Sequence, residues 1–150
     1  MTRPIGSRKL DHIAIIVRDI EESSSVFAKM FGMEVPDWIL TDPFEKTNCH
    51  YRGEPSDALC KLTFFDFENI RIEMIEPVGE PSTWMQFLQR NGEGIQHLSF
   101  WVDDLEAQTE ALKRQGTERV QTGEFENGRN AYFDTADKIG IMLELLEDLS

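Results

Sequence analysis

The chain has 150 residues, 40% of them hydrophobic, which is enough to bury the core of one globular domain or of two small modules that share an interface. Its 15 Lys and Arg residues against 28 Asp and Glu residues give a net charge of −13, which excludes a nucleic-acid-binding protein with a basic surface. No run of residues approaches the roughly 18 apolar positions that span a bilayer, and the first ten residues lack the apolar stretch of a secretory signal. We therefore expect a cytoplasmic protein that binds neither membrane nor nucleic acid.

The most informative feature is an internal repeat, in which residues 11–21 are echoed by residues 96–106 at an offset of 85. Each copy begins with the alternation of a strand, reaches an Asp that can cap a helix, and continues with apolar residues three and four apart. Gly32 and Gly116 stand where the two helices should end. The repeat predicts two modules that begin in the same way.

After each helix the sequence predicts a strand and then a β-hairpin. The first module has strand signals at 34–41 and 70–75 with a turn at 68–69, and the second has them at 118–125 and 140–146 with a turn at 137–138. Each module therefore reads βαβββ. Two short sheets, each open on one face, are expected to pair into a curved half-barrel of the α+β class.

The remaining segments complete one predicted domain over residues 1–150. Module one covers about 8–78, a linker helix at 83–90 lies within about 81–92, and module two covers about 94–147. Residues 42–56, rich in Pro, Asn and Gly, are predicted to form a loop at a pocket rim. The two cysteines, Cys49 and Cys60, match no zinc or redox spacing and are interpreted as free thiols in a reducing compartment.

His12 and His97 occupy the same position in the two copies of the repeat. Because side chains alternate along a strand, both are predicted to point to the concave side of the sheet, away from the face that the helices cover. The residues two positions further, Ala14 and Ser99, are small and would leave space over the imidazole for a metal and its ligand. A single strand histidine is usually only hydrogen-bonded, but a histidine repeated in both modules favours ligation.

Glu73 and Glu144 each interrupt an otherwise apolar strand, and such a burial is costly unless the carboxylate is paired or binds a metal. With one His and one Glu from each repeat, two-fold pseudo-symmetry brings His12, Glu73, His97 and Glu144 to one point. Two nitrogens and two oxygens suit an octahedral divalent Ni, Co, Mn or Fe ion, or Zn with an expanded shell. Glu144 is favoured as a catalytic base, followed by Glu73.

Two other features are interpreted without a catalytic role. His50 has no counterpart in the second module and is predicted to lie at the rim, outside the site. The aromatic residues Phe64, Phe65 and Phe67 are predicted to serve core and dimer packing rather than to stack on a cofactor.

Three cations, Arg52, Lys61 and Arg129, are candidate contacts for an anionic substrate.

Four segments, at 10–12, 73–77, 92–97 and 143–145, resemble the glyoxalase, bleomycin-resistance and dioxygenase superfamily over nearly the whole chain. Within it the chain is most similar to the methylmalonyl-CoA epimerase family, which also has Glu-Pro after the central strand and a Gly-Glu-Gly-Ile-x-His segment. The resemblance implies paired βαβββ modules, a metal on the four positions above and a homodimer. The chain departs from the family at four positions: Asp134-Thr135 replaces His-Pro, Gln96 replaces a histidine, and Lys61 replaces a second glutamate.

The chemistry implied is proton abstraction next to a carbonyl group, with the metal as a Lewis acid. Returning the proton to the opposite face of an acyl-CoA gives an epimerase, whereas returning it to the neighbouring carbon of a glutathione adduct gives a glyoxalase I-like lyase. An extradiol dioxygenase is disfavoured because it needs three protein ligands and Glu73 would be a fourth. A metal-free drug-binding protein of the bleomycin-resistance type is the alternative from another class.

Overall fold

The computed structural model describes residues 5–150. The first four residues belong to the N-terminal segment, in which no secretory signal is expected, and lie outside the described residues. The helices are α1 (Ile20–Phe31), α2 (Phe44–Thr47), α3 (Thr83–Asn91), α4 (Leu105–Arg114) and α5 (Ala136–Ile139). The strands are β1 (Lys9–Ile16), β2 (Ile39–Leu40), β3 (His50–Tyr51), β4 (Glu54–Pro55), β5 (Leu59–Asp66), β6 (Arg71–Val78), β7 (Gly94–Val102), β8 (Arg119–Phe125), β9 (Gly128–Phe133) and β10 (Met142–Asp148).

All ten strands form one curled sheet in the order β2-β5-β6-β1-β7-β10-β9-β8-β3-β4. The first strands of the two modules, β1 and β7, are antiparallel neighbours at its centre. The last strand of each module flanks this pair: β6 pairs with β1 and β10 pairs with β7, both in parallel. The arrangement confirms the predicted α+β half-barrel, whereas the module bounds themselves stay a prediction.

The two long helices that follow β1 and β7 begin as the repeat predicts. Asp19 accepts a hydrogen bond from the backbone amide of Glu22, at 3.1 Å, and Asp104 accepts one from that of Ala107, at 3.0 Å. Such caps satisfy amides that have no partner within the helix. Helix α1 ends at Gly32, whose φ of 63° is the left-handed conformation that glycine adopts without strain.

The side chains of the central strands divide as the alternation predicts. On the outer face, Val17 packs with Ile20 and Phe65 under α1, and Val102 packs with Leu105 under α4. On the concave face lies a separate core cluster. It contains Ala14, Ile16, Cys60, Ile75, Trp84, Val120 and Tyr132. The concave face therefore carries buried, mostly apolar side chains and is not a solvent-exposed surface.

Three predicted elements differ in the structure. The strand expected at 34–41 is reduced to β2, and Pro36, which lacks a backbone N–H, precedes the two residues that pair at this edge. The rim loop expected at 42–56 contains α2, β3 and β4. The turn expected at 137–138 is the short helix α5, which ends at Gly140 with a φ of 81°. The first two differences lie in short segments whose pairing depends on distant residues, whereas α5 is a single helical turn with local hydrogen bonds.

The segment 42–56 extends the sheet of the second module. Strand β3 pairs with β8, with His50 opposite Thr122 and Tyr51 opposite Gln121. An insertion from the first module therefore crosses over the concave face and joins the far edge of the sheet. The predicted linker helix corresponds to α3, where Ser82 accepts a hydrogen bond from the amide of Met85 at 3.0 Å. Within residues 5–150, no helix is both long and apolar enough to cross a membrane.

Candidate metal centre

The four predicted ligands lie on the four central strands of the sheet. His12 is on β1 and His97 on β7, while Glu73 and Glu144 are on the flanking strands β6 and β10. All four are buried, with exposed fractions of 4%, 0%, 6% and 3% in the order His12, His97, Glu73 and Glu144. Because each histidine and each glutamate points to the concave face, the sheet brings the four side chains together.

The imidazoles and carboxylates are close enough to share one ion. His12 Nε2 lies 3.2 Å from Glu73 Oε1 and 3.5 Å from Glu144 Oε1. His97 Nε2 lies 3.4 Å from Glu144 Oε1 and 3.7 Å from Glu73 Oε1. One ligand atom each of His12, Glu73 and His97 lie within 4.8 Å of one another. The pattern has the approximate two-fold symmetry that the repeat predicts, and the ligand roles themselves stay a prediction.

The outer nitrogen of each histidine is fixed by the residue before it. His12 Nδ1 donates to Asp11 Oδ2 at 2.7 Å, and His97 Nδ1 donates to Gln96 Oε1 at 2.8 Å. The Gln96 amide is itself oriented, because its nitrogen donates to the carbonyl oxygen of Thr83 at 2.8 Å. With Nδ1 occupied in both rings, Nε2 is the atom that faces the centre.

The His97 Nε2 atom supports a metal at this point. It is fully buried and has no hydrogen-bond partner among residues 5–150, which is a costly arrangement for a polar atom. Two imidazole nitrogens and two carboxylate oxygens form a donor set typical of Co, Ni, Mn, Fe or Zn. The residues present therefore fit a divalent transition metal.

The charges of the centre attract a cation. Burial opposes protonation of His12, but hydrogen bonding and Coulomb attraction from Glu144 and Glu73 outweigh it and raise the pKa of His12 to about 11. The pKa of His97 is raised by the same carboxylates against its burial. Burial also opposes ionisation of Glu144, yet the nearby imidazoles of His12 and His97 hold the pKa of Glu144 well below its usual range. The two buried carboxylates thus favour protonated histidines. A divalent metal would compete with these protons for the Nε2 atoms.

Two further polar side chains contact the centre. Ser99 Oγ donates to Glu144 Oε1 and lies 2.8 Å from His12 Nε2. Asn130 Nδ2 donates to Glu144 Oε2 at 2.8 Å. From the sequence, Ser99 is recognised only as a small residue, and Asn130 is missed altogether. The alternation of Asn130 with Tyr132 on β9, the strand next to Glu144, is the signal that could reveal it.

A cavity of about 380 Å³ opens onto the centre. It is mostly apolar, and its lining residues include Ile39, Cys49, Ala58, Cys60, Leu62, Phe64, Ile75, Trp84, Trp101, Tyr132 and Leu146. Phe64 lies edge-on to the His12 ring at 5.5 Å between centroids, so the interpretation of Phe64 as core and dimer packing is wrong. Phe65 and Phe67, which have the opposite orientation, pack against Phe27 under α1.

The three cations proposed as anion contacts do not line this cavity. Lys61 Nζ lies 3.3 Å from Glu76 Oε2 and over the Trp38 ring, on the helix side of the sheet. Arg129 Nε donates to a Glu147 carboxylate oxygen at 2.6 Å. Arg52 contacts Tyr51. Each is engaged elsewhere because strand alternation or the rim segment turns it away.

Arg71, which no sequence pattern singles out, is the cation that lines the cavity among the described residues. Its guanidinium carbon lies 3.9 Å from the Phe64 ring centroid, its Nη1 lies 3.9 Å from Asp11 Oδ2, and its Nε donates to Asp66 at 2.8 Å. The mouth of the cavity therefore carries a positive group that is already paired with two carboxylates.

The two cysteines and His50 are the remaining residues that the sequence singles out. Both cysteines are free, as predicted, and both line the cavity. Burial raises the pKa of the Cys49 and Cys60 thiols, which keeps them protonated at neutral pH. His50 bonds the carbonyl oxygen of Asn48 at 2.8 Å and lies outside the cavity lining, in agreement with its predicted place at the rim.

Several known proteins are similar to this chain in sequence or in fold. A family model described as the glyoxalase/bleomycin resistance protein/dioxygenase superfamily matches residues 11–133. An ethylmalonyl-CoA/methylmalonyl-CoA epimerase of Cereibacter sphaeroides is 28% identical, over 91% of this chain and 96% of its own. The uncharacterised protein YqjC of Bacillus subtilis is 25% identical, over 93% and 91%. The crystal structure of methylmalonyl-CoA epimerase from Mycobacterium tuberculosis is 26% identical with a TM-score of 0.62, over 99% and 93%.

Proposed function

Because this chain belongs to the glyoxalase/bleomycin resistance protein/dioxygenase superfamily, we propose that it is a metal-dependent isomerase that acts on an acyl-CoA. It removes the proton α to the thioester carbonyl and returns a proton to the opposite face, as a methylmalonyl-CoA epimerase does. The relative from Cereibacter sphaeroides carries that activity in its name and matches nearly the full length of both chains.

The observation that carries the proposal is the convergence of two imidazoles and two carboxylates at the base of a largely apolar cavity. A binding protein that only encloses an apolar drug would not need four buried ionisable side chains at one point, because burying them is costly without a cation. The geometry therefore favours metal-assisted chemistry over metal-free sequestration.

Each group of the centre has a role in that chemistry. His12, Glu73, His97 and Glu144 would hold one divalent metal, which would supply Lewis acidity toward the carbonyl oxygen of the substrate. Asp11 and Gln96 keep the Nε2 atoms of the histidines directed at the centre. A carboxylate of the centre would accept the α-proton of the substrate as a general base. The apolar walls exclude bulk water and favour a small alkyl substituent.

The proton transfers do not involve the residue that replaces the second glutamate of the epimerase family. Lys61 points to the helix side of β5, while Cys60 and Leu62 of the same strand face the cavity. Of the other acidic residues that line the cavity, Asp11 is engaged with His12 and Trp101, and Glu124 is exposed to solvent near the end of β8. The carboxylates of the centre itself, Glu73 and Glu144, are thus the groups available to accept the α-proton.

The test is metal analysis of protein purified without chelator, followed by solvent-deuterium exchange at the α-carbon of methylmalonyl-CoA observed by proton NMR. His97→Ala is the matched control, since it removes one ligand and leaves the cavity walls. Exchange in the wild type that is lost in the control supports the proposal. Bound metal with no exchange, but with turnover of the methylglyoxal-glutathione adduct, would make the protein a glyoxalase I-like lyase. A chain that binds none of Co, Ni, Mn, Zn or Fe would be the metal-free binding protein instead.

Two accompanying expectations stay predictions. A homodimer can be checked by light scattering on the purified chain. A cytoplasmic location can be checked by fractionation of cells that express it. Neither result alters the metal test, because all four candidate ligands come from one chain.

A further inference from the structure

The two glutamates of the centre occupy equivalent positions in the two modules but have different neighbours. On the inner side, Glu73 lies opposite Ala14 of β1, and Glu144 lies opposite Ser99 of β7. Ala14 and Ser99 are each two residues after the histidine of their module. The backbone is symmetric here, whereas a methyl group in one module corresponds to a hydroxyl group in the other.

The outer side shows the same difference. Asn130 of β9 lies opposite Leu146, two residues after Glu144. Leu62 of β5 lies opposite Ile75, two residues after Glu73. The hydrogen-bonding amide of the second module thus has an apolar counterpart in the first.

These neighbours hold the two carboxylates unequally. Glu144 has both oxygens hydrogen-bonded, Oε1 by the Ser99 hydroxyl and Oε2 by the Asn130 amide. Glu73 contacts the two histidines through Oε1, at 3.2 and 3.7 Å, and receives no hydrogen bond from a hydroxyl or amide of residues 5–150. Glu144 is therefore held through both carboxylate oxygens, whereas the contacts of Glu73 with the histidines involve one oxygen only.

We propose that Ser99 and Asn130 are positioning residues that hold Glu144 as a fixed metal ligand, and that Glu73 is the catalytic residue that takes the α-proton. This assignment rests on the proposed function and reverses the order in which the sequence ranks the two glutamates. In the step, the bond between the α-carbon and its hydrogen breaks, the proton forms a bond with a Glu73 oxygen, and the electron pair moves into the carbonyl group of the substrate. No oxidant or further reactant is needed.

The first experiment compares Glu73→Gln with Glu144→Gln by two measurements, Co²⁺ affinity from an absorbance titration and the exchange rate with methylmalonyl-CoA at saturating Co²⁺. For Glu144→Gln we expect Co²⁺ binding to weaken by about tenfold or more, since a positioned ligand is altered. For Glu73→Gln we expect the exchange rate to fall by roughly 10² to 10⁴, the range of general-base catalysis, with a smaller loss of Co²⁺ affinity.

The second experiment exchanges the neighbours. Ser99→Ala is expected to weaken Co²⁺ binding by about tenfold and to change the Co²⁺ absorption spectrum, and Ser99→Thr, which keeps the hydroxyl, is expected to restore both. Ala14→Ser introduces a hydroxyl beside Glu73, and here we expect a lower kcat with KM and Co²⁺ affinity retained. A merely structural role would not separate kcat from KM in this way. Circular dichroism of each variant confirms that it is folded.

Several outcomes would overturn the assignment. One is a Glu144→Gln variant that keeps its Co²⁺ affinity but loses exchange, while the Glu73→Gln variant still exchanges. Another is an equal loss of exchange in the Glu73→Gln and Glu144→Gln variants at saturating Co²⁺. If the wild type binds Co²⁺ but exchanges no acyl-CoA, the proposed function fails. The Co²⁺ affinities of the variants still test whether Glu144 is the positioned ligand. In that case, a Glu73→Gln variant that loses more Co²⁺ affinity than Glu144→Gln would overturn it.

Discussion

Glu76 and Glu147 perform the same task in the two modules. Each lies three residues after a glutamate of the centre, on the opposite face of its strand. Glu76 Oε1 accepts a hydrogen bond from the amide of Ile20 at 2.9 Å, and Glu147 Oε2 accepts one from the amide of Leu105 at 2.8 Å. Both amides belong to the first residue of a long helix, where a negative charge also interacts favourably with the helix dipole. The strands that carry the centre are therefore tied directly to α1 and α4.

Replacing Glu147 by Gln is expected to destabilise the protein by about 2 kcal/mol, because charged hydrogen bonds to the Leu105 amide and to Arg129 are weakened in a buried place. Glu76→Gln is the matched variant, and its side chain is more exposed, at 17% against 6%. We expect a smaller loss there. Urea denaturation measures both, and equal effects, or a larger effect at Glu76, would contradict this account of burial.

Asp11 and Gln96 should set the metal affinity of the histidines that follow them. A carboxylate that accepts from Nδ1 makes the imidazole a better donor than an amide does, so Asp11→Asn is expected to weaken Co²⁺ binding by about tenfold. Gln96→Glu is expected to strengthen binding at the His97 side. Competition titrations with a coloured chelator provide the measurement. Unchanged affinity in both variants would show that the hydrogen bonds to Nδ1 do not control metal binding.

Metal binding should release protons. In the metal-free protein the pKa of His12 is raised from 6.5 to about 11, so His12 is protonated at neutral pH and must lose its Nε2 proton to bind a metal. Below pH 11 the affinity should therefore rise with pH, by about tenfold per unit for each proton released. Calorimetric titration with Co²⁺ between about pH 6 and 8, in buffers with different ionisation enthalpies, counts the protons. Heats that are independent of the buffer would contradict the expectation.

Lys61→Met should leave acyl-CoA exchange within about twofold of the wild type, since Lys61 Nζ pairs with Glu76 on the helix side and does not enter the cavity. A modest loss of stability is expected from the missing ion pair, on the order of 0.5 kcal/mol. Steady-state kinetics and urea denaturation separate the two effects. A drop in exchange of a hundredfold would mean that Lys61 reaches the substrate after all.

Much of the fold could be predicted because it depends on local signals. The Asp caps, the stop at Gly32 and the alternation of β1 and β7 are patterns of neighbouring residues, and all of them are found in the structure. The internal repeat supplied the long-range information, since two segments with the same pattern, 11–21 and 96–106, predict two similar modules that pair. The rim segment 42–56 has no counterpart in the second module, and its pairing with β8 depends on a strand more than 60 residues away.

The four side chains that meet at the candidate site could be predicted from the sequence, whereas the residues around them could not. His12, Glu73, His97 and Glu144 could be identified because each is a polar residue repeated in an apolar strand. Asn130 could not, because its counterpart in the first module is Leu62 and its role depends on the Glu144 carboxylate that it meets. Phe64 could not either, because an aromatic residue in a strand is most simply interpreted as packing, although the Phe64 ring contacts the His12 ring edge-on at 5.5 Å between centroids.

The sequence by itself determined the repeat, the class of fold and which four side chains point inward, because hydrophobic alternation and capping are properties of consecutive residues. Only the tertiary structure decided that Ser99 and Asn130 hold Glu144, that no hydroxyl or amide of residues 5–150 holds Glu73, and that Lys61 faces away from the cavity. The physical reason is that a hydrogen bond requires an approach of about 3 Å, and distances of that size between residues far apart in the chain are set by strand register and the curvature of the sheet.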